Sequence, residues 1–201
     1  MIKKARLTSK ERLYKGYLQL YRYDLDIPSL DLKKNPINLK NREIVHSADS
    51  ILVLIYVPNM DSFVFCQEFR IGVYFNESRD DPFILECVSG TIEKNSSPEE
   101  TAQREVYEET GLEVNELHAI AIAYKSPGLM TEKTYIYYTE TNDTPKNGLY
   151  GVDDEEIRTH IISREKIYEL MDGMNIIDAA TLIALNWFRA KQAMLLAAKK
   201  D

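Results

Sequence analysis

The chain has 201 residues, 44% hydrophobic and 28% charged, with 8 Gly and 7 Pro. That composition suits one sizeable domain, or a domain with a small appendage, and excludes collagen-like and low-complexity classes as well as two full-size domains. The formal charge of −7, from 25 basic and 32 acidic residues, has the wrong sign for holding nucleic acid by phosphate neutralisation, and a small anionic substrate would need local positive charge from arginines or a metal cation.

In chain order, MIKKARLTSKERL at the N-terminus is charged with no apolar stretch behind it, which makes the cytoplasm the expected compartment. The alternation GYLQLYRYDL (16–25) reads as a strand, and DIPSLDLKKNPINLKNRE (26–43) as a polar, proline-punctuated stretch, so residues 1–48 form a small β extension. From Ser50 the pattern changes. ILVLIYV (51–57), the turn PNMD and SFVFCQEF (62–69) read as a hairpin. The apolar run at 51–57 is far short of the ~20 residues of a membrane helix and is a core strand, so no membrane partner is expected.

ILECVSG (84–90) follows as a further strand, then one clear helix, then strands at HAIAIAY (118–124), TYIYYTET (134–141) and, after a loop over 142–156, IRTHIIS (157–163). Helical patterns close the chain at REKIYELMDG and from Ile177 to about Ala198, with Ile177, Ala180, Leu182, Leu185 and Phe188 expected in the core and Trp187 as buried structure. Such an irregular alternation favours an α/β layering around a mixed sheet. Cys66 and Cys87 lack CxxC spacing and lie in apolar strands, so buried thiols are expected, and His46, His118 and His160 are scattered.

The helix at 98–110 is the best-determined element: Ser97 caps it, Pro98 suits its first position, Glu100 completes a capping box and Gly111 stops it. Spacings of three and four put Glu105, Glu108 and Glu109 on one face, with only Arg104 in the stretch to offset them. A charge run of this kind reads by itself as a solvated stripe. The like-charge pair of Glu105 and Glu109 costs a few tenths of a kcal/mol, however, and hard oxygen ligands at this spacing suit Mg²⁺ or Mn²⁺.

The stretch of Gly90, five residues, Ser96, seven residues, then Arg104-Glu105-Val106-Tyr107-Glu108-Glu109-Thr110-Gly111-Leu112 resembles the Nudix box, matching every fixed position except Ser96, where the family usually has a glutamate of mainly structural role. Beyond the box, RLYKGYLQL, NREIVHSA, QEFRIGVY, SPGLMTE, DDEEIRTHIISRE and IDAATLIALNWF are similar to the ADP-ribose pyrophosphatase branch. The resemblance implies a Nudix-type α/β/α sandwich around a mixed sheet over 49–201. The 1–48 extension would serve dimerisation and cover substrate. It further implies Mg²⁺-dependent hydrolysis of ADP-ribose to AMP and ribose 5-phosphate by a homodimer, with Mn²⁺ as a substitute ion.

Carried over residue by residue, the resemblance makes Glu105, Glu108, Glu109, Glu155 and the backbone carbonyl of Ser89 metal ligands, Tyr17 an adenine-stacking ring, and Arg42, Arg70 and Glu132 substrate contacts. Asp153 and Glu155 fall where the related enzymes carry a catalytic and a metal-contacting glutamate, and either can be the catalytic base; Glu108 is a further catalytic candidate. Without the resemblance Tyr17 is an ordinary strand aromatic and the arginines surface charges. The competing functions are hydrolysis of another nucleoside diphosphate sugar, GDP-mannose or UDP-glucose, and a Nudix-derived module that senses ADP-ribose without cleaving it.

Overall fold

The structure is a computed structural model that describes residues 4–31, 33–152 and 155–198. It resolves into two compact units, Met1–Asp49 with Tyr124–Lys133, and Ser50–Ala123 with Thr134–Asp201.

The first unit is an antiparallel meander of β1 (Arg6–Lys15), β2 (Gln19–Ile27) and β3 (Ile37–His46). The segment 124–133 joins it through Val45, whose N–H donates to the Leu129 carbonyl at 2.8 Å and whose carbonyl accepts from the Thr131 N–H at 3.1 Å. Sequence patterning pointed only to the middle strand. Most of β1 and half of β3 are exposed, so they lack the apolar alternation that marks a half-buried strand; charged cross-strand partners such as Arg22 with Glu11 and Glu43 hold them in register instead.

The second unit is built on β4 (Ser50–Val57), which is buried along almost its whole length. Strand period two divides its side chains between two cores. Ile51, Val53, Ile55 and Val57 pack with Ala102 and Val106 of α2 (Pro98–Thr110). Leu52 and Leu54 pack on the other face with Ile167 of α3 (Arg164–Asp172) and Ala180, Ala184, Leu185 and Phe188 of α4 (Ala179–Ala198). Helices on both faces of one sheet make this unit an α/β/α sandwich.

The sheet is mixed. β4 runs parallel to β9 (Lys133–Glu140) and antiparallel to both β5 (Ser62–Phe69) and β7 (Val88–Thr91). The remaining strands are β6 (Phe83–Glu86), paired with β5, β8 (His118–Tyr124) beside β9, and β10 (Gly148–Tyr150) beside β11 (Ile157–Ser163), which pairs with β5. A short α1 (Ile71–Tyr74) follows β5.

Three expectations from sequence change in detail. ILECVSG is two strands, because the chain switches partners from β5 to β4 at Cys87, whose N–H donates to the Thr181 hydroxyl of α4 at 3.0 Å. The 142–156 loop contains β10. α4 begins at Ala179, where the Asp178 carboxylate accepts from the Thr181 N–H at 2.7 Å as a cap; Ile176 is buried in the core and Ile177 is 42% exposed. Both cysteines are buried free thiols, as their apolar strands require. No described helix is long and apolar enough to cross a membrane.

Phe188 closes the α4 side of the core against Phe63, Tyr56 and Tyr138, with ring centroids 4.8 to 5.6 Å away. Phe188→Ala is expected to lower the unfolding free energy by about 3–5 kcal/mol in urea titrations.

Candidate active site

The local chemistry of α2 follows its sequence. The Ser97 hydroxyl accepts from the Glu100 N–H at 3.1 Å, and the Glu100 carboxylate accepts from the Ser97 N–H at 2.8 Å. Gly111 ends the helix at φ 70°, donating to the Tyr107 carbonyl. This cap fixes the start of the helix directly after Ser96, the one position that departs from the family box. Between these ends, Val106 and Ala102 turn toward the sheet and carry Glu105 and Glu109 with them.

Glu109 is 5% exposed. Burial drives its carboxyl well above the ordinary range, opposed by a hydrogen bond from the Cys66 thiol. Glu105 is pushed up to about 7, first by burial and then by Glu108 and Glu155, against the pull of Arg104. Arg104 is the local counter-ion, 2.8 Å from Glu105, 2.7 Å from Glu108 and 3.6 Å from Glu93. Gly90 gives Glu105 its room, because a Cβ there would lie 2.2 Å from the carboxyl carbon. That clearance explains the glycine that opens the box.

A second acidic set lies on the neighbouring strands. Arg70, at the end of β5, donates to Glu86 at 2.6 Å and to the Ser89 hydroxyl at 3.2 Å, and pairs with Glu68 at 3.0 Å. Glu86 is pushed up to about 7 by burial, despite Arg70. Glu68 is raised too, by burial against the pull of Arg70, with a contribution from Glu155. The structure therefore brings Arg70, Ser89, Glu105, Glu108, Glu109 and Glu155 together in the second unit. Tyr17, 94% exposed, and Arg42 belong to the first unit, as does Glu132, a buried carboxylate 2.9 Å from Lys125. Asp153 lies outside the described residues.

Sequence reasoning did not single out Glu68 or Glu86, and read Cys66 only as a buried thiol. Glu86 had a readable signal, a carboxylate inside the apolar run Ile84–Val88. Glu68 and Cys66 had none, since their relevance arises only when β5 pairs beside β11 under α2.

Among the described residues no group of three or more His, Cys, Asp or Glu is already gathered in metal-holding geometry. The donor set nevertheless fits a hard divalent cation: Glu105 and Glu109 offer oxygen donors on one face of the helix, with Arg104 beside Glu105 and a thiol beside Glu109.

Comparison with known proteins bears on the family and the fold. The NUDIX domain family model matches residues 47–199. ADP-ribose pyrophosphatase of Escherichia coli (strain K12) is 32% identical over 187 residues, spanning 91% of this chain and 87% of the relative. GDP-mannose pyrophosphatase of Salmonella typhimurium is 29% identical over 154 residues, spanning 76% of this chain and 80% of the relative. A crystal structure of an ADP compounds hydrolase superposes with a TM-score of 0.73 at 19% identity, covering 97% of both chains, a likeness of fold.

The raised carboxyls set a pH dependence. Glu86 and Glu105 sit near 7 in the folded protein against 4.5 for an ordinary glutamate, so the folded state holds protons that the unfolded state has released. Their contribution to stability is full below 4.5 and is lost as pH rises through about 7. The metal-free melting temperature is therefore expected to fall from about pH 5 to about pH 7.5, and Glu86→Gln to flatten part of that fall in scanning calorimetry. Gly90→Ala is expected to displace Glu105 and remove most hydrolytic activity while the protein still melts cooperatively.

Proposed function

The chain belongs to the Nudix family, and on that premise we propose that it is a Mg²⁺-dependent pyrophosphatase that hydrolyses ADP-ribose to AMP and ribose 5-phosphate, with Mn²⁺ as a substitute ion. The observation that carries the proposal is that the buried Glu109 and the largely covered Glu105 lie one turn apart on α2, with an arginine beside Glu105 and, among the described residues, no ion pair at Glu109. An anionic diphosphate approaches such a face only if positive charge accompanies it.

Glu105, Glu108, Glu109, Glu155 and the Ser89 carbonyl would hold the cation. When bound, it supplies the charge that neutralises the diphosphate and the Lewis acidity that polarises its oxygens. The chain's own residues do the rest. Either Glu155, exposed on the loop before β11, or Asp153 accepts the proton of the attacking water. The water oxygen bonds to one phosphorus as the bridging P–O bond breaks, and the second phosphate leaves with the bridging oxygen.

Arg70, with its planar fork, orients a phosphate or ribose oxygen. Its ties to Glu68 and Glu86 hold the guanidinium in one place before substrate arrives. Tyr17 stacks on the base, Arg42 contacts phosphate or ribose, and Glu132 serves the terminal ribose. Stacking accepts any base, so a second reading, hydrolysis of GDP-mannose, is kept because relatives of that name cover three-quarters of the chain. ADP-ribose is preferred because the relatives carrying that name reach higher identity over more of the sequence. The same reading takes the protein as a cytoplasmic homodimer in which residues 1–48 contribute the dimerisation region.

Glu109→Gln is expected to lower kcat for ADP-ribose with Mg²⁺ by about 10²-fold or more and to leave the fold intact. Turnover of that variant at near-normal rate would refute the metal assignment. A panel of ADP-ribose, GDP-mannose and UDP-glucose, read by product chromatography, decides the substrate, with AMP release from ADP-ribose the expected dominant product.

A further inference from the structure

The C-terminal turn of α2 presents a problem that the helix cannot solve for itself. The last carbonyls of a helix run out of partners in its own ladder and must be met from beyond it. Each of three is met by a different donor. The Tyr107 carbonyl accepts from the Gly111 N–H at 2.8 Å, Glu108 from the Gly151 N–H at 3.4 Å, and Glu109 from the Thr159 hydroxyl at 2.7 Å. The first is a local cap and the second comes from the chain just after β10. The third comes from a side chain of β11 that is fully buried.

Thr159 stands directly opposite Cys66 in the β5–β11 ladder. Residues opposite each other in a ladder point to the same face, so the Thr159 hydroxyl and the Cys66 thiol lie side by side beneath this turn. Thr159 takes the main-chain carbonyl of Glu109, while Cys66, 2% exposed, donates to its carboxyl. Glu109 is thus met at its main chain and at its carboxyl by two side chains of the sheet. Glu105 and Glu108 are held through the exposed side of the helix by Arg104.

We propose that Thr159 and Cys66 are paired positioning residues for Glu109, fixing its backbone and its carboxyl so that one oxygen stays aimed at a divalent cation while the other accepts from the thiol. This rests on the reading of Glu109 as a metal ligand. Neither side chain touches substrate. Their effect is on how well the carboxylate is pre-aimed, which sets cation affinity.

The test is Mn²⁺ binding to the substrate-free full-length chain, measured by electron paramagnetic resonance of the free ion, with the melting temperature of the metal-free protein taken alongside. Cys66→Val keeps the apolar packing and removes the donor; Thr159→Val removes the hydroxyl at nearly constant volume. Each is expected to weaken Mn²⁺ binding about tenfold, with Cys66→Ser and Thr159→Ser, which keep a donor, restoring it to within about twofold. The KM for ADP-ribose at saturating metal is expected to stay unchanged. If Thr159→Val fails to fold, the Cys66 series decides alone. Wild-type Mn²⁺ affinity in folded Cys66→Val, with Glu109→Gln weakened, would overturn the positioning role and leave the metal site standing. Wild-type affinity in Glu109→Gln would overturn both.

Discussion

The constraint on which the second unit depends is that carboxylates on the inner side of α2 are held out of water. Charge in a low-dielectric setting is costly unless it is paired or neutralised, and Glu105 and Glu109 are raised by burial before anything else acts on them. The surrounding structure is what makes that burial possible. The fully buried β4 gives α2 a flat apolar wall, Ala102 and Val106 bring the helix against it, and Gly90 removes the Cβ that would otherwise occupy the space of the Glu105 carboxyl. The two ends are pinned by a capping box and by a left-handed glycine, so the face cannot rotate outward to relieve the cost.

Much of this was legible in sequence because it is local. Ser97, Pro98, Glu100 and Gly111 mark both ends of α2 within fifteen residues, and each acts through the backbone of its immediate neighbours. The β4 strand was equally clear from its continuous apolar run. The fold class followed from the alternation of such runs with helical patterns, and the family from the box.

What stayed hidden depends on pairing between distant segments. Cys66 matters because β11, more than ninety positions later, lays Thr159 beside it under α2. The partner switch at Cys87 depends on Thr181, and nothing in ILECVSG itself demands it. In the first unit, β1 and β3 have no buried face to write an alternation into the chain. Their register rests on cross-strand charge pairs, which become recognisable only once the strands are aligned. The start of α4 at Ala179 is by contrast a local matter, set by the Asp178 cap on the Thr181 N–H.

Two buried acids in this unit show why burial alone does not identify a functional carboxylate. Glu86 and Glu109 are equally inaccessible, each 5% exposed. Glu86 has Arg70 at 2.6 Å, so its ionised form has a counter-ion built into the fold, and Arg70 in turn is held in place by Glu68 and Ser89. That arrangement is self-contained and positions a guanidinium. Glu109 has a neutral thiol instead, a weak donor that eases the desolvation of a carboxylate without cancelling its charge. The ionised form of Glu109 has the coulombic pull of Arg70 but, among the described residues, no ion pair of its own, so further positive charge would favour it. An acid whose partner is neutral is poised to take a cation, whereas one whose partner is an arginine already has its own. On the proposed reading, this difference in partner separates the acid that holds a guanidinium in place from the acid that would take the cation.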